Sequence, residues 1–288
     1  MDRTTGDKES FDRSWQLREE THYNHWIAGR PTNQIQLAFR SHWEVFRDLI
    51  GELAETRGDI LEVGCGRGSL SSYFADDGWN CTLLDYSPTV LETARKVFAN
   101  NGHIANFVLG DATNLEFEDN SFDVTTSIGL LEHFEDVRPV ISEQLRVLRP
   151  GGWFLGYVVP ERPDNVQRYF NWINKGLKFA SSIMPADEKP AKPDIYRSDY
   201  DSSHYIAAMV GLDYTELKTF GMYSMPMISH SPEFPFSLLP RPLEWGLTRT
   251  FEASLALRRL TYHRHGWICS EQMGQAFLLA FRKPTPSP

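Results

Sequence analysis

Short apolar runs alternate with helical patterns through the middle of the chain. The apolar runs have the length of buried strands, and amphipathic segments at 69–75, 87–101 and 136–148 separate them. Strands that alternate with helices in this way are typical of a doubly wound, mostly parallel α/β sheet with helices on both faces. Seven strands are predicted, in the order DILEVG, CTLLDY, ANFVLGDA, FDVTTSIG, WFLGYVV, DYTELKTFG and GQAFLLAFRK.

Two further regions flank or interrupt this alternating core. Apolar positions at helical spacing between Ile35 and Leu53 predict one or two amphipathic helices in an N-terminal cap, residues 1–57. Residues 58–288 then form the main domain, whose pattern loosens at 161–200 and again at 222–267. We expect both stretches to be insertions that contribute to a ligand pocket, and the second to form a lid.

Proline and glycine mark the ends of two central elements. Ser87 followed by Pro88 predicts a helix start, because a serine hydroxyl caps free backbone amides and proline at the first helical position loses no hydrogen bond. Pro150, Gly151 and Gly152 predict a turn between the next helix and the fifth strand.

Composition narrows the classes of function. Lys and Arg number 29 against 38 Asp and Glu, and the formal net charge of −9 repels a phosphate backbone. The three cysteines are widely spaced, which favours a reducing compartment and differs from the C-x-x-C spacing of a zinc site. No apolar run is long enough to span a membrane. We therefore expect a cytoplasmic protein without a metal, a nucleic-acid partner or a transmembrane segment.

The stretch LEVGCGRGS places three glycines between a strand and a helix. Such a loop lets the backbone approach a ligand at the carboxyl end of a parallel strand, where doubly wound sheets bind cofactors. A dinucleotide site would need another glycine where Ser69 stands. Glu62 would repel a pyrophosphate but attract a cation. The loop therefore predicts a positively charged cofactor without phosphate.

Four segments in order resemble the motifs of class I S-adenosylmethionine-dependent methyltransferases. LEVGCGRG is similar to their first motif, and Asp85 in LLDYS ends the second strand. GDATNLEFEDNSFDVTTSIGLLEHF is similar to their third and fourth motifs, and LRVLRPGGWFLG to the turn into their fifth strand. The resemblance covers residues 55–160 and extends to the two closing strands. It implies a Rossmann-like fold, S-adenosylmethionine as cofactor and methyl transfer as the reaction.

The resemblance also implies particular cofactor contacts. Glu62 and the backbone of residues 64–68 would face the methionine part, and Asp85 would accept hydrogen bonds from both ribose hydroxyls. Asp111 would accept from the adenine amino group. Asp85 and Asp111 also have structural alternatives, as an acid at a helix N-terminus and as a turn residue. The complete expected set is Glu62, Gly64, Cys65, Gly66, Gly68, Asp85, Tyr86, Asp111, Ala112 and Ile128.

The stretch GLLEHFED, residues 129–136, follows the fourth strand and is expected to border the methyl group. Alignment of the acceptor supplies much of the rate of methyl transfer, and a base is needed only when the acceptor arrives protonated. His133 is the first candidate for this base, since the ordinary pKa of histidine lies near neutrality, and Glu132 is the second. Both residues have the alternative role of shaping the pocket.

The acceptor site is predicted from the flanking regions. In proteins similar to this one the N-terminal helices fold over the cofactor. We also expect the helix that starts at His204 and Tyr205, after the first insertion, to reach the pocket. MYSMPMISHSPEFPFSLLP in the second insertion is either adaptable apolar surface for a ligand or a lid packed on the core. The expected partner is a small hydrophobic or aromatic acceptor, bound by His22, Tyr23, Trp26, His204 and Tyr205.

Three other functions compete with methyl transfer. The same cofactor fold can carry out non-methylating chemistry, because a fold does not determine a reaction. An NAD-dependent oxidoreductase is disfavoured by Ser69 and Glu62, and a binding module would need no cofactor at all. The sequence leaves the methylated atom open between oxygen, nitrogen and carbon, and leaves the oligomeric state open as well.

Overall fold

The computed structural model describes residues 25–182, 196–228, 230–231, 234–237, 239–262 and 265–286. Its strands are β1 (Asp59–Val63), β2 (Asn80–Asp85), β3 (Asn106–Leu109), β4 (Phe122–Ile128), β5 (Leu148–Val158), β6 (Thr215–Met222), β7 (His230–Ser231), β8 (Phe234–Ser237), β9 (Ile268–Cys269) and β10 (Ala276–Arg282). Eight strands form one sheet in the order β3-β2-β1-β4-β5-β10-β6-β9, and β7 pairs with β8 in a separate ribbon.

The α-helices of the described residues are α1 (Gln34–Ile50), α2 (Leu53–Thr56), α3 (Ser69–Asp76), α4 (Pro88–Asn101), α5 (Arg138–Val147), α6 (Asn171–Ser182), α7 (Ser202–Ala208) and α8 (Arg241–Tyr262). Short 3₁₀ turns cover Leu131–His133 and Val166–Phe170. The proposed helix start after β2 is confirmed, because the Ser87 hydroxyl accepts a hydrogen bond from the Val90 amide and Pro88 is the first helical residue.

The sheet is mostly parallel, as predicted. The pairs β1–β2, β2–β3, β1–β4 and β4–β5 are parallel, whereas β10 runs antiparallel to both β5 and β6. Chain order reverses on the two sides of β1, so the carboxyl ends of β1 and β4 border the crevice where such sheets bind ligands. The residues that follow β1, β2 and β4 therefore lie at this crevice.

Two details of the sheet differ from the prediction. There are eight strands instead of seven, because β9 pairs with the end of β6 at Gly221 and Met222. A two-residue strand has no periodicity that a sequence pattern could reveal. The predicted turn at residues 150–152 also lies inside β5, where the pairing with β4 shifts register between Phe122 and Val124.

Helices cover both faces of the sheet and define two core clusters. On one face α1, α3 and α4 pack through residues such as Phe46, Phe74 and Phe98. On the other face α5 and the segment around Tyr205 pack against strand residues that include Phe154. The N-terminal cap therefore shares a core with the sheet.

The second insertion is tied to the N-terminal cap by polar contacts. Glu244 at the start of α8 is buried and accepts a hydrogen bond from the Gln34 amide at 3.1 Å. Arg30 and Arg249 both form salt bridges with Glu252. These contacts bring α8 beside α1. Within the described parts of the chain, no helix combines the length and the apolar character needed to cross a bilayer.

Gly221 offers a test of the sheet edge. A Cβ atom there would lie 2.2 Å from the Ser270 backbone oxygen, which cannot move aside without breaking the β6–β9 pairing. We expect Gly221→Ala to lower the free energy of unfolding by about 3 kcal/mol, at the upper end of overpacking effects.

Gly246→Ala is the matched control, since a Cβ atom in that helical position meets nothing within 4 Å. Alanine there should raise the free energy of unfolding by about 0.5–1 kcal/mol through its better helix propensity. Urea denaturation of both variants checks the pair, and equal stabilities would contradict the packing argument.

Candidate active site

The glycine loop after β1 forms the floor of the site. Gly64, Gly66 and Gly68 all have positive φ angles, of 68°, 52° and 65°. A Cβ atom on Gly64 would come within 2.8 Å of Leu130, and one on Gly68 within 2.5 Å of Leu83. Side chains are therefore excluded for two separate reasons, and the loop presents bare backbone at the carboxyl edge of the sheet.

Main-chain hydrogen bonds hold this loop against β2. The amides of Gly64 and Cys65 both donate to the Leu84 carbonyl, at 2.8 and 3.0 Å. The Cys65 side chain is buried in the core, and burial together with the nearby acids raises the pKa of its thiol well above the ordinary range. Of the predicted cofactor contacts, that of Cys65 is consequently restricted to its backbone.

Two buried carboxylates flank the loop. Glu62 in β1 is only 2% exposed and accepts hydrogen bonds from the Ser71 amide and hydroxyl. Burial raises the pKa of Glu62 to about 7, although the Ser71 hydrogen bonds act in the opposite direction. Asp85 at the end of β2 is also buried and accepts from the amides of Gly66 and Ser87, at 3.3 and 3.1 Å.

These residues fit a cationic cofactor. Two buried acids beside bare backbone would repel a phosphate, whereas a buried positive charge next to Glu62 would favour the ionised carboxylate. The ammonium and sulfonium of S-adenosylmethionine supply such charge, and its ribose hydroxyls are suitable donors to Asp85. The donor and acceptor chemistry of the loop therefore agrees with the cofactor that the sequence motifs imply.

The remaining predicted cofactor residues lie along the same edge with different exposures. Tyr86 and Ile128 are half-buried, and Ala112 is buried among the core residues beside β4. Asp111 is exposed, and its Oδ1 accepts from the Thr113 amide and hydroxyl at 2.8 and 2.7 Å. Asp111 thus forms the turn anticipated as its structural alternative, while its contact with adenine stays a prediction.

Glu132 is the most unusual polar group of the site. It lies in the 3₁₀ turn after β4, is 0% exposed, and neither carboxylate oxygen has a hydrogen-bond partner among the described residues. A Cβ atom on Gly129 would lie 3.5 Å from Glu132 Oε1, so the carboxylate is next to the end of β4.

Burial is the dominant influence on this carboxylate. It raises the pKa of Glu132 to about 7. The charge of Arg197 and the nearby backbone amides of Glu132 and Val159, which make no hydrogen bond of normal geometry to the carboxylate, oppose the rise only in part. A buried acid without partners costs folding free energy, and such groups cluster at functional sites. Leu130, two residues before, packs over Gly64 and places this turn against the glycine loop.

His133 has a defined tautomer. Its Nδ1 lies 2.6 Å from the Tyr196 carbonyl oxygen. Because a carbonyl can only accept, Nδ1 carries the proton and Nε2 is the basic nitrogen of the neutral ring. The Ser198 amide also donates to the Glu132 carbonyl at 2.8 Å. Residues 196–198, which we call the 196–198 strap, are therefore hydrogen-bonded to both candidate bases.

The predicted acceptor residues have different positions in the fold. His22 and Tyr23 lie outside the described residues. Trp26 packs edge-on against His103, with ring centroids 4.5 Å apart. The His103 ring also contacts Phe98, which packs against Gly68, so the contact of Trp26 with an acceptor stays a prediction. From the same segment it is His25 that reaches the loop helix, through a 2.7 Å hydrogen bond with Ser69.

The two candidates in α7 also differ from each other. Tyr205 is fully buried, and its hydroxyl shares a hydrogen bond with Ser198 at 3.2 Å. Burial raises the pKa of Tyr205 to about 12, and the charge of Glu132 contributes to that rise. The His204 ring stacks on Tyr200, with ring centroids 3.8 Å apart, and meets the Tyr205 ring edge-on at 5.8 Å. Tyr205 is therefore a neighbour of the Glu132 turn, and His204 contacts Tyr205.

A cluster of aromatic rings next to Glu132 is missing from the sequence prediction. It comprises His42, Tyr157, Tyr223 and Trp267, which we call the aromatic cluster. Trp267 Nε1 donates to His42 Nδ1 at 2.9 Å, and burial lowers the pKa of His42 to about 3. His42 is therefore a neutral packing residue.

The hydroxyl groups of Tyr157 and Tyr223 are the polar groups of the aromatic cluster that could contact a ligand. Tyr157 is the second-last residue of β5 and pairs with Ile128 of β4. Tyr223 directly follows β6, and the charge of Glu132 acts on the Tyr157 hydroxyl. One sequence signal was available: each tyrosine comes at the carboxyl end of a predicted strand, where ligands bind. Which rings would meet could not be read from the pattern.

Amide side chains clamp the first part of the Met-rich insertion, residues 225–228. Gln167 donates to the Met227 carbonyl and accepts from the Met227 amide, and Gln34 does the same with Ile228. Gln275 donates to the Met225 carbonyl at 2.6 Å. These contacts fix the segment that leaves β6 beside Tyr223.

Fold and site together define a doubly wound protein with a backbone cradle for a cationic cofactor. A protein-family comparison matches residues 61–156 to a methyltransferase domain. The demethylmenaquinone methyltransferase of Paenarthrobacter aurescens is 36% identical over 139 residues, which cover 48% of this chain and 51% of the relative. The sterol 4-C-methyltransferase of Caenorhabditis elegans is 35% identical over 184 residues, which cover 59% of this chain and 55% of the relative.

Solved structures share the fold over nearly the whole chain. A SAM-dependent methyltransferase from Thermotoga maritima has a TM-score of 0.55 at 16% identity and covers 96% of this chain and 99% of its own. The cyclase SpnF has a TM-score of 0.51 at 20% identity and covers 96% and 93%. At such identities the likeness concerns the fold alone.

Residues 61–156 match a methyltransferase domain, and the chain has the doubly wound fold of a solved S-adenosylmethionine-dependent methyltransferase. The predicted fold is confirmed, and the match of residues 61–156 supports S-adenosylmethionine as the cofactor of this domain. The chain spans about half the length of the curated relatives named above.

The buried Glu62 makes cofactor affinity depend on pH. Glu62 is protonated below its pKa of about 7, and a bound ammonium favours the ionised form, so affinity should rise with pH. We expect the dissociation constant of S-adenosylhomocysteine to fall about tenfold per pH unit below pH 7 and to level off above it.

Calorimetric titration between about pH 5.5 and 7.5 measures this dependence around the Glu62 pKa. The matched variant is Glu62→Gln, which retains an acceptor for Ser71 but cannot ionise. It should bind more weakly and lose the dependence, and an unchanged slope in the variant would assign the titration to another group.

Proposed function

We propose that this protein transfers the methyl group of S-adenosylmethionine to a small hydrophobic acceptor. The observation that supports this most is Glu132, a fully buried carboxylate without hydrogen-bond partners among the described residues, in the turn that packs on the glycine loop. A structural acid would have acquired partners, whereas an acid that receives a proton from a ligand has to keep its oxygens free of competing hydrogen bonds.

The glycine loop and its acids hold the cofactor in this proposal. Glu62 attracts its ammonium, the backbone of residues 64–68 lies along its methionine part, and Asp85 accepts from its ribose hydroxyls. When bound, S-adenosylmethionine supplies a methyl group that its sulfonium has already activated. The protein has to align an acceptor with that methyl group, exclude water and accept a proton where the acceptor carries one.

The surroundings of Glu132 favour an apolar ring as the acceptor. Tyr157 and Tyr223 bring aromatic rings with hydroxyl groups beside the Glu132 turn, and Met225 and Met227 contribute adaptable apolar surface. Demethylmenaquinone and sterol, in the names of the two relatives, are lipid-soluble ring compounds. We infer an acceptor of the same physical class, an apolar ring system with one polar group that the tyrosines and Glu132 can recognise.

Glu132 is our choice for the proton acceptor, ahead of His133. A pKa of about 7 suits a base at neutral pH, because the carboxylate is substantially ionised and still binds a proton well. His133 holds the 196–198 strap through Nδ1, which makes it a positioning residue in this proposal. Ionised Glu132 would accept the proton as the acceptor atom forms its bond to the methyl carbon.

The cyclase SpnF shares this fold, so non-methylating chemistry is the second candidate. The two are separated by incubating the protein with methyl-labelled S-adenosylmethionine and a panel that contains demethylmenaquinone and sterols. Methyl transfer predicts a labelled lipid together with S-adenosylhomocysteine in equal amount. Cofactor binding without S-adenosylhomocysteine, across extracts as well as the panel, would overturn the methyltransferase proposal.

We place the protein in a reducing compartment, the cytoplasm. Cys65, Cys81 and Cys269 are all free thiols, and the first two are buried in the core cluster beside α1 and α3. Burial raises the pKa of all three thiols, so they are poor nucleophiles.

Glu132→Gln tests the base. For an acceptor that carries a proton, removal of the carboxylate should lower kcat about 10²–10⁴-fold while cofactor affinity stays within about threefold, because Glu132 contacts the acceptor side of the site. In the wild-type protein kcat should rise with pH and level off above about 7, since only ionised Glu132 is active.

His133→Asn is the companion variant, because its amide group can still donate to the Tyr196 carbonyl. A small effect of this variant together with a flat pH profile in Glu132→Gln supports the assignment. If the pH profile of kcat stays sigmoidal in Glu132→Gln but becomes flat in His133→Asn, the base is His133 instead.

A further inference from the structure

Helix α6 carries a stripe of exposed aromatic side chains. Tyr169, Trp172 and Phe179 are 57%, 72% and 73% exposed. The spacings of three and seven residues place them on one side of the helix and of the 3₁₀ turn before it. Large rings exposed in a row are uncommon on a surface that meets only water.

The charge of this segment is opposite to that of the whole chain. Residues 165–182 contain three basic residues and no acidic one, whereas the chain has a formal net charge of −9. Lys175 is exposed between Trp172 and Phe179. Arg168 lies over the Tyr169 ring at 5.3 Å and bonds Asp164, so one of the three charges is partly compensated.

The inner side of the same segment contacts the proposed acceptor site. Asn174 donates to the Met227 carbonyl at 2.8 Å, and Gln167 binds both the amide and the carbonyl of Met227. Met227 belongs to the clamped segment that begins at Tyr223. Helix α6 therefore lies between solvent and the segment 225–228 of that site.

We propose that α6 docks this protein on an anionic lipid surface, from which the apolar acceptor enters the site. Tryptophan and tyrosine rings prefer the headgroup region of a bilayer, and basic side chains beside them are attracted to anionic lipids. A second copy packed on this face would bring the same basic segment against it, and like charges repel. The proposal deepens the proposed function, because it rests on a lipid-soluble acceptor.

The amphipathic pattern indicates a helix that lies on the membrane. Three rings and two or three basic groups provide modest, reversible binding that grows with the anionic lipid content and weakens with salt. Such binding lets the protein take an apolar molecule from the bilayer and dissociate.

Vesicle sedimentation with the full chain tests the proposal. Phosphatidylcholine vesicles with roughly one-third phosphatidylglycerol are compared with pure phosphatidylcholine vesicles, at low and high salt. We expect binding to the anionic vesicles that is at least tenfold stronger and that falls with salt. Trp172→Ala combined with Phe179→Ala should lower the partition coefficient at least tenfold, and Lys175→Glu about three- to tenfold.

Ile104→Ala and Lys96→Glu are the matched controls, because both side chains are exposed on α4 or just after it. They should leave vesicle binding unchanged, and all variants should retain S-adenosylhomocysteine affinity, which shows that they fold. Absence of binding to either vesicle, or equal loss with the controls, would overturn the proposal. So would a concentration-dependent dimer in ultracentrifugation that the Trp172 and Phe179 substitutions abolish, since that face would then join two copies.

Failure of this proposal is distinguishable from failure of the proposed function. Vesicle binding is measured without an acceptor, and methyl transfer is measured with an acceptor dispersed in detergent. Transfer in detergent without vesicle binding would overturn the docking surface alone, and vesicle binding without transfer to any acceptor would overturn the proposed function.

Discussion

The close approach of bare backbone at the glycine loop is the constraint on which the rest of the site depends. Gly68 fits between Leu83 and Phe98 only without a side chain, and the Leu84 carbonyl accepts two amides of the loop at once. This tie fixes the loop relative to β2, and therefore relative to Asp85. Leu130 packs on Gly64 from the β4 side and sets the position of the Glu132 turn. The same packing contacts therefore position both the glycine loop that would hold the cofactor and the candidate base Glu132.

The electrostatics of the site follow from burial. Glu62 and Glu132 both lie in the low-dielectric crevice, and burial brings the pKa of each carboxyl to about 7. Ser71 stabilises the first, whereas the second has no partner among the described residues. The unpartnered carboxylate of Glu132 destabilises the folded state, and it lies where a cation and a protonated acceptor would meet. The same low dielectric strengthens their attraction to these acids.

The insertions complete the site by connecting elements that are distant in sequence. Gln34 in α1, Gln167 before α6 and Gln275 before β10 all bind the segment 225–228. An amide side chain can satisfy the amide and the carbonyl of an irregular segment together, so these residues replace the hydrogen bonds that a sheet would supply. The side chains that hold the segment 225–228 therefore come from three parts of the chain. One of them, Gln167, lies in the 3₁₀ turn directly before α6.

The sequence by itself determined the order of the seven longer strands of the sheet and of the helices between them, together with the glycine loop, Glu62 and Asp85. Each of these depends on local periodicity or on residues close to one strand end. It also placed Glu132 and His133 after β4, although their different environments depend on burial and on the 196–198 strap. Only the tertiary structure decided that Trp26 packs on His103, that α1 and β5 meet in the aromatic cluster, and that three glutamines converge on one segment. These contacts join residues far apart in the chain. Their geometry depends on how helices pack across the sheet, which no periodicity in the sequence records.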